Sequence, residues 1–92
     1  MDIEWDPAKD RSNLAKHGIS FSGIEPVFYD ELALSMPDSF STTEERFLLV
    51  GSDALGRILT IAYTYRQNNI RIISARIATK SERREYEKGI RL

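Results

Sequence analysis

The chain has 92 residues, 41% hydrophobic and 29% charged, with no cysteine, one histidine and a formal net charge of −1. That is the composition of one small globular domain, residues 1–92, rather than of a disordered chain. Disulfides and thiolate metal sites are excluded, a lone histidine cannot make the usual multi-histidine site, and no metal or cofactor is expected. No apolar run approaches the roughly 18 residues of a membrane span, and Met1-Asp2-Ile3-Glu4 does not open a signal peptide, so the expected location is the cytoplasm with no membrane partner. The near-neutral total hides a polarised chain. Residues 1–56 carry four Lys/Arg against eleven Asp/Glu, and residues 57–92 carry nine Lys/Arg against three Glu, that is −7 and +6. Concentrated positive charge attracts phosphate backbones whatever the overall isoelectric point.

Residues 1–5 alternate and predict a short strand, with Trp5 as a core anchor. Asp6-Pro7 opens a helix: Asp6 caps the free amides and Pro7 suits the first helical position. Gly18 closes it after Lys16 and His17. Its apolar face is thin, with Leu14 the one large residue, helped by Ala8, Ala15 and Asn13 at the edge. A second helix is expected near Ser20 or Ser22, where Ser22-Gly23-Ile24-Glu25 has capping-box spacing and Ile24, Val27 and Phe28 face the core. Pro26 either sits in its first turn or kinks it. Leu32 to Met36 reads as a strand stopped by Pro37-Asp38, followed by a polar loop through Thr43. Arg46 to Gly51, Arg57 to Arg66 and Ile70 to Ile77 are three further strands, joined by turns at Asp53-Ala54-Leu55-Gly56 and Asn68-Asn69 into an antiparallel meander. Thr79-Lys80-Ser81-Glu82 is a capping box that starts a helix from Lys80 to Lys88, ended by Gly89. That helix is charged almost all round apart from Tyr86, so weak docking, or completion by a partner, is expected.

These residues carry a resemblance. Ile3-Glu4-Trp5-Asp6-Pro7-Ala8-Lys9, Asn13-Leu14-Ala15-Lys16-His17-Gly18-Ile19-Ser20-Phe21, Glu45-Arg46-Phe47, and Arg71-Ile72-Ile73-Ser74-Ala75-Arg76 with Ala78-Thr79, Glu82-Arg83 and Tyr86-Glu87 together resemble the BrnT toxin family. The resemblance runs from about Ile3 to Glu87. It departs from an ordinary helix former at Pro26, and no functional residue is carried across the tip from Ser52 to Gly56. It implies a RelE-like ribonuclease fold and the toxin role in a type II toxin–antitoxin system, with RNA cleavage that shuts down translation. It also implies a BrnA-like antitoxin that neutralises the toxin in a hetero-oligomeric complex and binds operator DNA.

Metal-free RNA cleavage uses the neighbouring 2′-hydroxyl as nucleophile. It needs a base for that proton, an acid for the leaving 5′-oxygen and cations for the charge growing on phosphorus. With no cysteine and one histidine, this route suits the chain. Arg76 is the first catalytic candidate, because it ends a strand just before a helix N-terminus; the alternative is an edge arginine paired with Glu82. His17 is the acid–base candidate, since histidine ordinarily titrates near neutrality; the alternative is a helix-end histidine bonding the last carbonyls. Arg46 is a third candidate, with a salt bridge to Glu44 or Glu45 as the alternative. For RNA binding, Tyr65 and Tyr86 are stacking candidates, whereas Tyr63 reads as packing. Arg66, Arg71, Lys80, Arg83 and Arg84 are candidates for positioning phosphates.

The expected architecture is a small α+β domain with two N-terminal helices on one face of an antiparallel sheet and a basic opposite face. That face would be covered by an acidic or apolar segment of the antitoxin. The expected function is a sequence-relaxed, metal-independent endoribonuclease toxin. A non-catalytic RNA-binding or translation-blocking module is the alternative, and a subunit that only scaffolds a DNA-binding partner is a third reading.

Overall fold

The computed structural model describes residues 2–39 and 45–89. The polar loop through Thr43, and Glu44 as a partner of Arg46, lie outside them. In chain order the elements are β1 (Ile3–Glu4), α1 (Pro7–His17), a single 3₁₀ turn (Phe21–Gly23), α2 (Glu25–Phe28), β2 (Leu34–Pro37), β3 (Phe47–Ser52), β4 (Ile58–Arg66), β5 (Asn69–Ile77) and α3 (Lys80–Lys88). They build an α+β domain on one five-stranded sheet of order β1-β5-β4-β3-β2. β2 to β5 are antiparallel throughout, and short turns join β3 to β4 and β4 to β5. β1 departs from the all-antiparallel expectation: it lies parallel to β5, with Ile3 opposite Ile70 and Glu4 opposite Arg71. A parallel partner needs a long connection, and the intervening chain supplies one.

The β4–β5 turn is Gln67-Asn68, one residue earlier than the sequence suggested, and both residues have positive φ (52° and 70°). That is the two-residue turn whose twist matches a hairpin. Between Ala62 and Tyr63 the register slips: Ala62 faces Ser74 while Tyr63 faces Ile72, so Ile73 is the extra residue of a β-bulge.

One sheet face carries the core. Phe21 of the 3₁₀ turn, Ile24 and Val27 of α2 pack on Leu49, Leu59, Ile61, Tyr63, Ile72 and Ala75, with Trp5 and Phe28 partly buried against them. Pro26 sits in the first turn of α2 and does not kink it. The expected Ser22–Glu25 capping box does not form; Ser20 caps the 3₁₀ turn instead, accepting from the Ser22 amide.

α1 packs differently from the expectation. Leu14 is half exposed, and the stripe turned to the protein is Asp6, Asp10, Asn13 and His17, at helical spacing and wholly polar. Asp6 caps the helix through the Ala8 amide (2.9 Å), and Gly18 ends it at φ 72°. Asp10 accepts the Phe21 amide (2.8 Å). Buried Asn13 donates to the Ile19 carbonyl (2.9 Å) and to the Ala75 carbonyl (2.8 Å), and accepts the Ala75 amide (3.1 Å). Because β1 pairs with β5 at Ile70 and Arg71, the outer edge of β5 beyond them has no strand neighbour among the described residues, and Asn13 stands in for one at Ala75.

The opposite face is not left open along its length. Thr60 and Arg76 are register partners, as are Val50 and Thr60, so all three share that face. α3 crosses it there. Glu82 accepts from both Thr60 and Arg76, and buried Tyr86 donates to Asp30 Oδ2 at 2.6 Å. Asp30 also accepts the Ser52 amide (2.8 Å) and the Leu32 amide (2.9 Å), tying α2, β3 and α3 together. The expectation of a weakly docked α3 is therefore corrected: two side chains four residues apart, Glu82 and Tyr86, anchor it through hydrogen bonds and the burial of the Tyr86 ring.

Candidate active site

The site is assembled on the free outer edge of β5, between the C-terminal half of α1 and the start of α3. On β5, Ser74 and Arg76 point to the same face, two residues and hence roughly 7 Å apart. The strand then turns into α3 through a complete capping box: Thr79 Oγ1 accepts the Glu82 amide (3.1 Å) and the Thr79 amide donates to Glu82 Oε1 (2.9 Å).

The capping glutamate also holds the arginine. Arg76 Nη1 and Nη2 donate to Glu82 Oε1 (2.6 Å) and Oε2 (2.9 Å), and the Thr60 hydroxyl adds a bond to Oε1 (2.9 Å). The Arg76 hydrogen bonds, helped by the Thr79 amide and the Thr60 hydroxyl, outweigh burial and hold the Glu82 carboxyl at about 2. Nη1 reaches the Ile77 carbonyl as well (3.4 Å). A guanidinium has five N–H groups. Three are thus engaged, and the remaining pair, on Nε and Nη2, forms the second fork of a side chain that is one-third exposed.

Beside Ser74 lies a pocket of about 220 Å³, lined by Lys9, Ser12, Asn13, Lys16, His17, Ile73 and Ser74. The structure thus brings His17 to Ser74, and Ser74 to within one strand repeat of Arg76. Two features put His17 there. The polar stripe of α1 turns it inward, and the Asn13–Ala75 bonds fix the helix against β5.

The other predicted residues lie elsewhere. Arg46 precedes β3 at the end remote from Arg76, whose row in the sheet runs through Thr60 and Val50. Four residues along the strand and two strands across put the two backbones roughly 16 Å apart. Tyr65 is half exposed but belongs to the core-side face, edge-on to Phe47 and Tyr63, away from Arg76. Tyr86 is corrected outright as a base-stacking residue: it is 4% exposed, and burial, then the Asp30 carboxylate, push its phenol up to about 12.

The expected convergence of basic side chains also needs correction. Arg57 pairs with Asp53, Arg71 with Glu4, Arg76 with Glu82, Arg83 with Glu87 and Lys88 with Glu85. Among the described residues Arg66, Lys80 and Arg84 make no ion pair and are exposed. The fold thus neutralises much of the basic segment with carboxylates, two of them from the acidic half. Sequence reasoning missed Lys9, Ser12, Lys16 and Ser74. Their one signal was the spacing of Lys9, Ser12 and Lys16 along a single face of the helix that carries His17.

Among the described residues, no three His, Cys, Asp or Glu side chains converge where they could hold a metal ion, and no helix is long and apolar enough to cross a membrane. A sequence model of the family described as the ribonuclease toxin BrnT of type II toxin–antitoxin systems matches residues 5–82. Among solved structures, the chain is similar to the crystal structure of the Brucella abortus ribonuclease toxin BrnT, at 26% identity and a TM-score of 0.70, over 87% of this chain and 99% of that one. A comparison with curated proteins gives no match. The match over most of the chain, together with the shared fold, shows that this protein belongs to the BrnT family of ribonuclease toxins of type II toxin–antitoxin systems.

Proposed function

We propose that this protein is an endoribonuclease toxin that cuts RNA in the cytoplasm, and so stops translation, by a metal-independent attack of the 2′-hydroxyl on the adjacent phosphate. One observation supports this reading above the others. Glu82 occupies one fork of Arg76 and leaves the second fork of this one-third-exposed side chain uncommitted, with Ser74 two residues back on the same face and His17 lining the pocket beside Ser74. The 2′-oxygen bonds to phosphorus as the 5′-oxygen leaves, giving a 2′,3′-cyclic phosphate and a free 5′-hydroxyl. One proton leaves the 2′-hydroxyl and one reaches the 5′-oxygen. His17 is the chain's one imidazole and the group proposed to carry a proton in this exchange. Arg76, its orientation fixed by Glu82, stabilises the charge on the non-bridging oxygens. Arg66, Lys80 and Arg84 are proposed to position flanking phosphates, and Arg46 and Tyr65 lie too far from this edge to share its chemistry. The toxin is neutralised by a BrnA-like DNA-binding antitoxin within a hetero-oligomeric complex.

The test uses purified protein, end-labelled RNA and excess chelator. Products ending in 2′,3′-cyclic phosphate, lost in Arg76→Ala and retained in Lys88→Ala, support the reading. RNA bound without new ends would instead identify a non-catalytic, translation-blocking module.

A further inference from the structure

The pocket beside Ser74 contains more than the chemistry above uses. Its walls from α1 are Lys9, Ser12 and Lys16, at i, i+3 and i+7, and no carboxylate is among its lining residues. Among the described residues, the side chains of Lys9, Ser12, Lys16 and Ser74 make no hydrogen bond or ion pair. This contrasts with Arg71, Arg76, Arg83 and Lys88, each already held by a glutamate. The floor is the opposite case. Asn13 spends both amide hydrogens and its oxygen on Ile19 and Ala75, so it offers a rigid base and no competing ligand. Two ammonium groups and two hydroxyls around a closed polar floor fit an anion with several oxygens. No aromatic ring other than His17 lines the pocket, so its lining suits the phosphate of a nucleotide rather than a stacked base.

We propose that this pocket is a phosphate subsite that seats the RNA phosphodiester neighbouring the cleaved one, with Lys9 and Lys16 as its charged ligands and Ser12 and Ser74 as its hydroxyl donors. The inference rests on the ribonuclease reading for the source of the phosphate, not for its binding. Ser74, which lines the pocket and shares a face with Arg76, joins the subsite to the scissile position.

The decisive variant is the double substitution Lys9→Gln/Lys16→Gln, with Lys9→Arg/Lys16→Arg as the charge-preserving partner and Lys88→Gln as the distant control. Inorganic phosphate titrated into the ¹⁵N-labelled protein should shift the Ser74 and His17 amides, and should do so no longer in the Gln pair. For a single-stranded RNA, the slope of log affinity against log salt should fall by about 0.7 in the Gln pair, the loss of one phosphate contact. KM for cleavage should rise several-fold with kcat nearly unchanged, and the Arg pair should restore it. Phosphate that shifts neither amide overturns the subsite. A phosphate shift with an unchanged RNA salt slope overturns the assignment to RNA and points to a free phosphate compound. If no RNA is cut at all, the titration and the slope still decide the subsite. If RNA is cut equally well by the Gln pair, the subsite fails while the ribonuclease reading stands.

Discussion

Asn13→Ala should destabilise this domain more than any apolar truncation on the same helix. The substitution removes three hydrogen bonds and strands the amide and carbonyl of Ala75, a residue with no solvent exposure, at a strand edge with no other neighbour. Each buried group left without a partner costs about 1–3 kcal/mol. Partial rescue by an entering water brings the sum to about 3 kcal/mol, from a total of about 5–15 kcal/mol for a domain of this kind. At about 4–8 °C per kcal/mol, the melting temperature should fall by at least about 12 °C. Asn13→Asp should be no better, because it keeps the shape but loses both N–H donors facing the Ile19 and Ala75 carbonyls. Leu14→Ala, on the adjacent position but half exposed, should cost under about 1 kcal/mol. Urea unfolding followed by circular dichroism, with unchanged m-values, measures all three. A larger loss for Leu14→Ala than for Asn13→Ala would refute the polar docking of α1.

Further expectations concern α3 and its anchors. Glu82 lies below its ordinary value, at about 2, so its stabilisation is complete above pH 4.5 and is lost as pH falls toward 2. Glu82→Gln should cost at most about 3 kcal/mol at pH 7 and flatten the acid limb of the stability curve; identical acid limbs in both proteins would contradict this. Tyr86→Phe should cost about 2 kcal/mol, the worth of a hydrogen bond to a carboxylate. Because its phenol is pushed up to about 12, that difference should persist through pH 10 and vanish as pH approaches 12 in paired denaturation curves. Gly51→Ala should lose about 1–3 kcal/mol in the same assay. Its new methyl would meet Val27 Cγ1 at 3.0 Å, Ala33 Cβ at 3.1 Å and Asp30 Oδ2 at 3.2 Å, none of them at the end of a long side chain.

Local signals in the sequence were legible because local bonds make them. Asp6 and Gly18 bracket α1, Thr79 and Glu82 form both halves of the capping box, and β3 to β5 follow their β-branched runs. Three features were not legible, each for a tertiary reason. β1 finds a partner about 67 residues away, and nothing in a two-residue strand specifies parallel pairing. α1 docks through polar side chains that satisfy a strand edge, so a hydrophobic period marks the wrong face and singles out Leu14. The charge split between the two parts of the chain is real, but charge along a segment is not charge on a surface. Glu4 and Asp53 from the acidic part fold against Arg71 and Arg57, and Glu82 against Arg76, so the cations left unpaired in the described chain include Lys9 and Lys16 near its beginning. Of the candidate site, Arg76 and His17 were readable from type and position. The bulge at Ile73, a residue that lines the pocket beside His17, was not, because a register slip leaves no mark in composition.

The most direct measurement of the central claim is single-turnover cleavage of one defined RNA by the wild type, His17→Gln, Arg76→Lys and Lys88→Ala. Loss of a positioned proton carrier or of a preorganised charge donor each slows the step by about 10²-fold or more. The β5-edge site requires that loss in the first two variants, with the wild-type rate kept in Lys88→Ala. Wild-type rates in both His17→Gln and Arg76→Lys would move the chemistry elsewhere in the molecule.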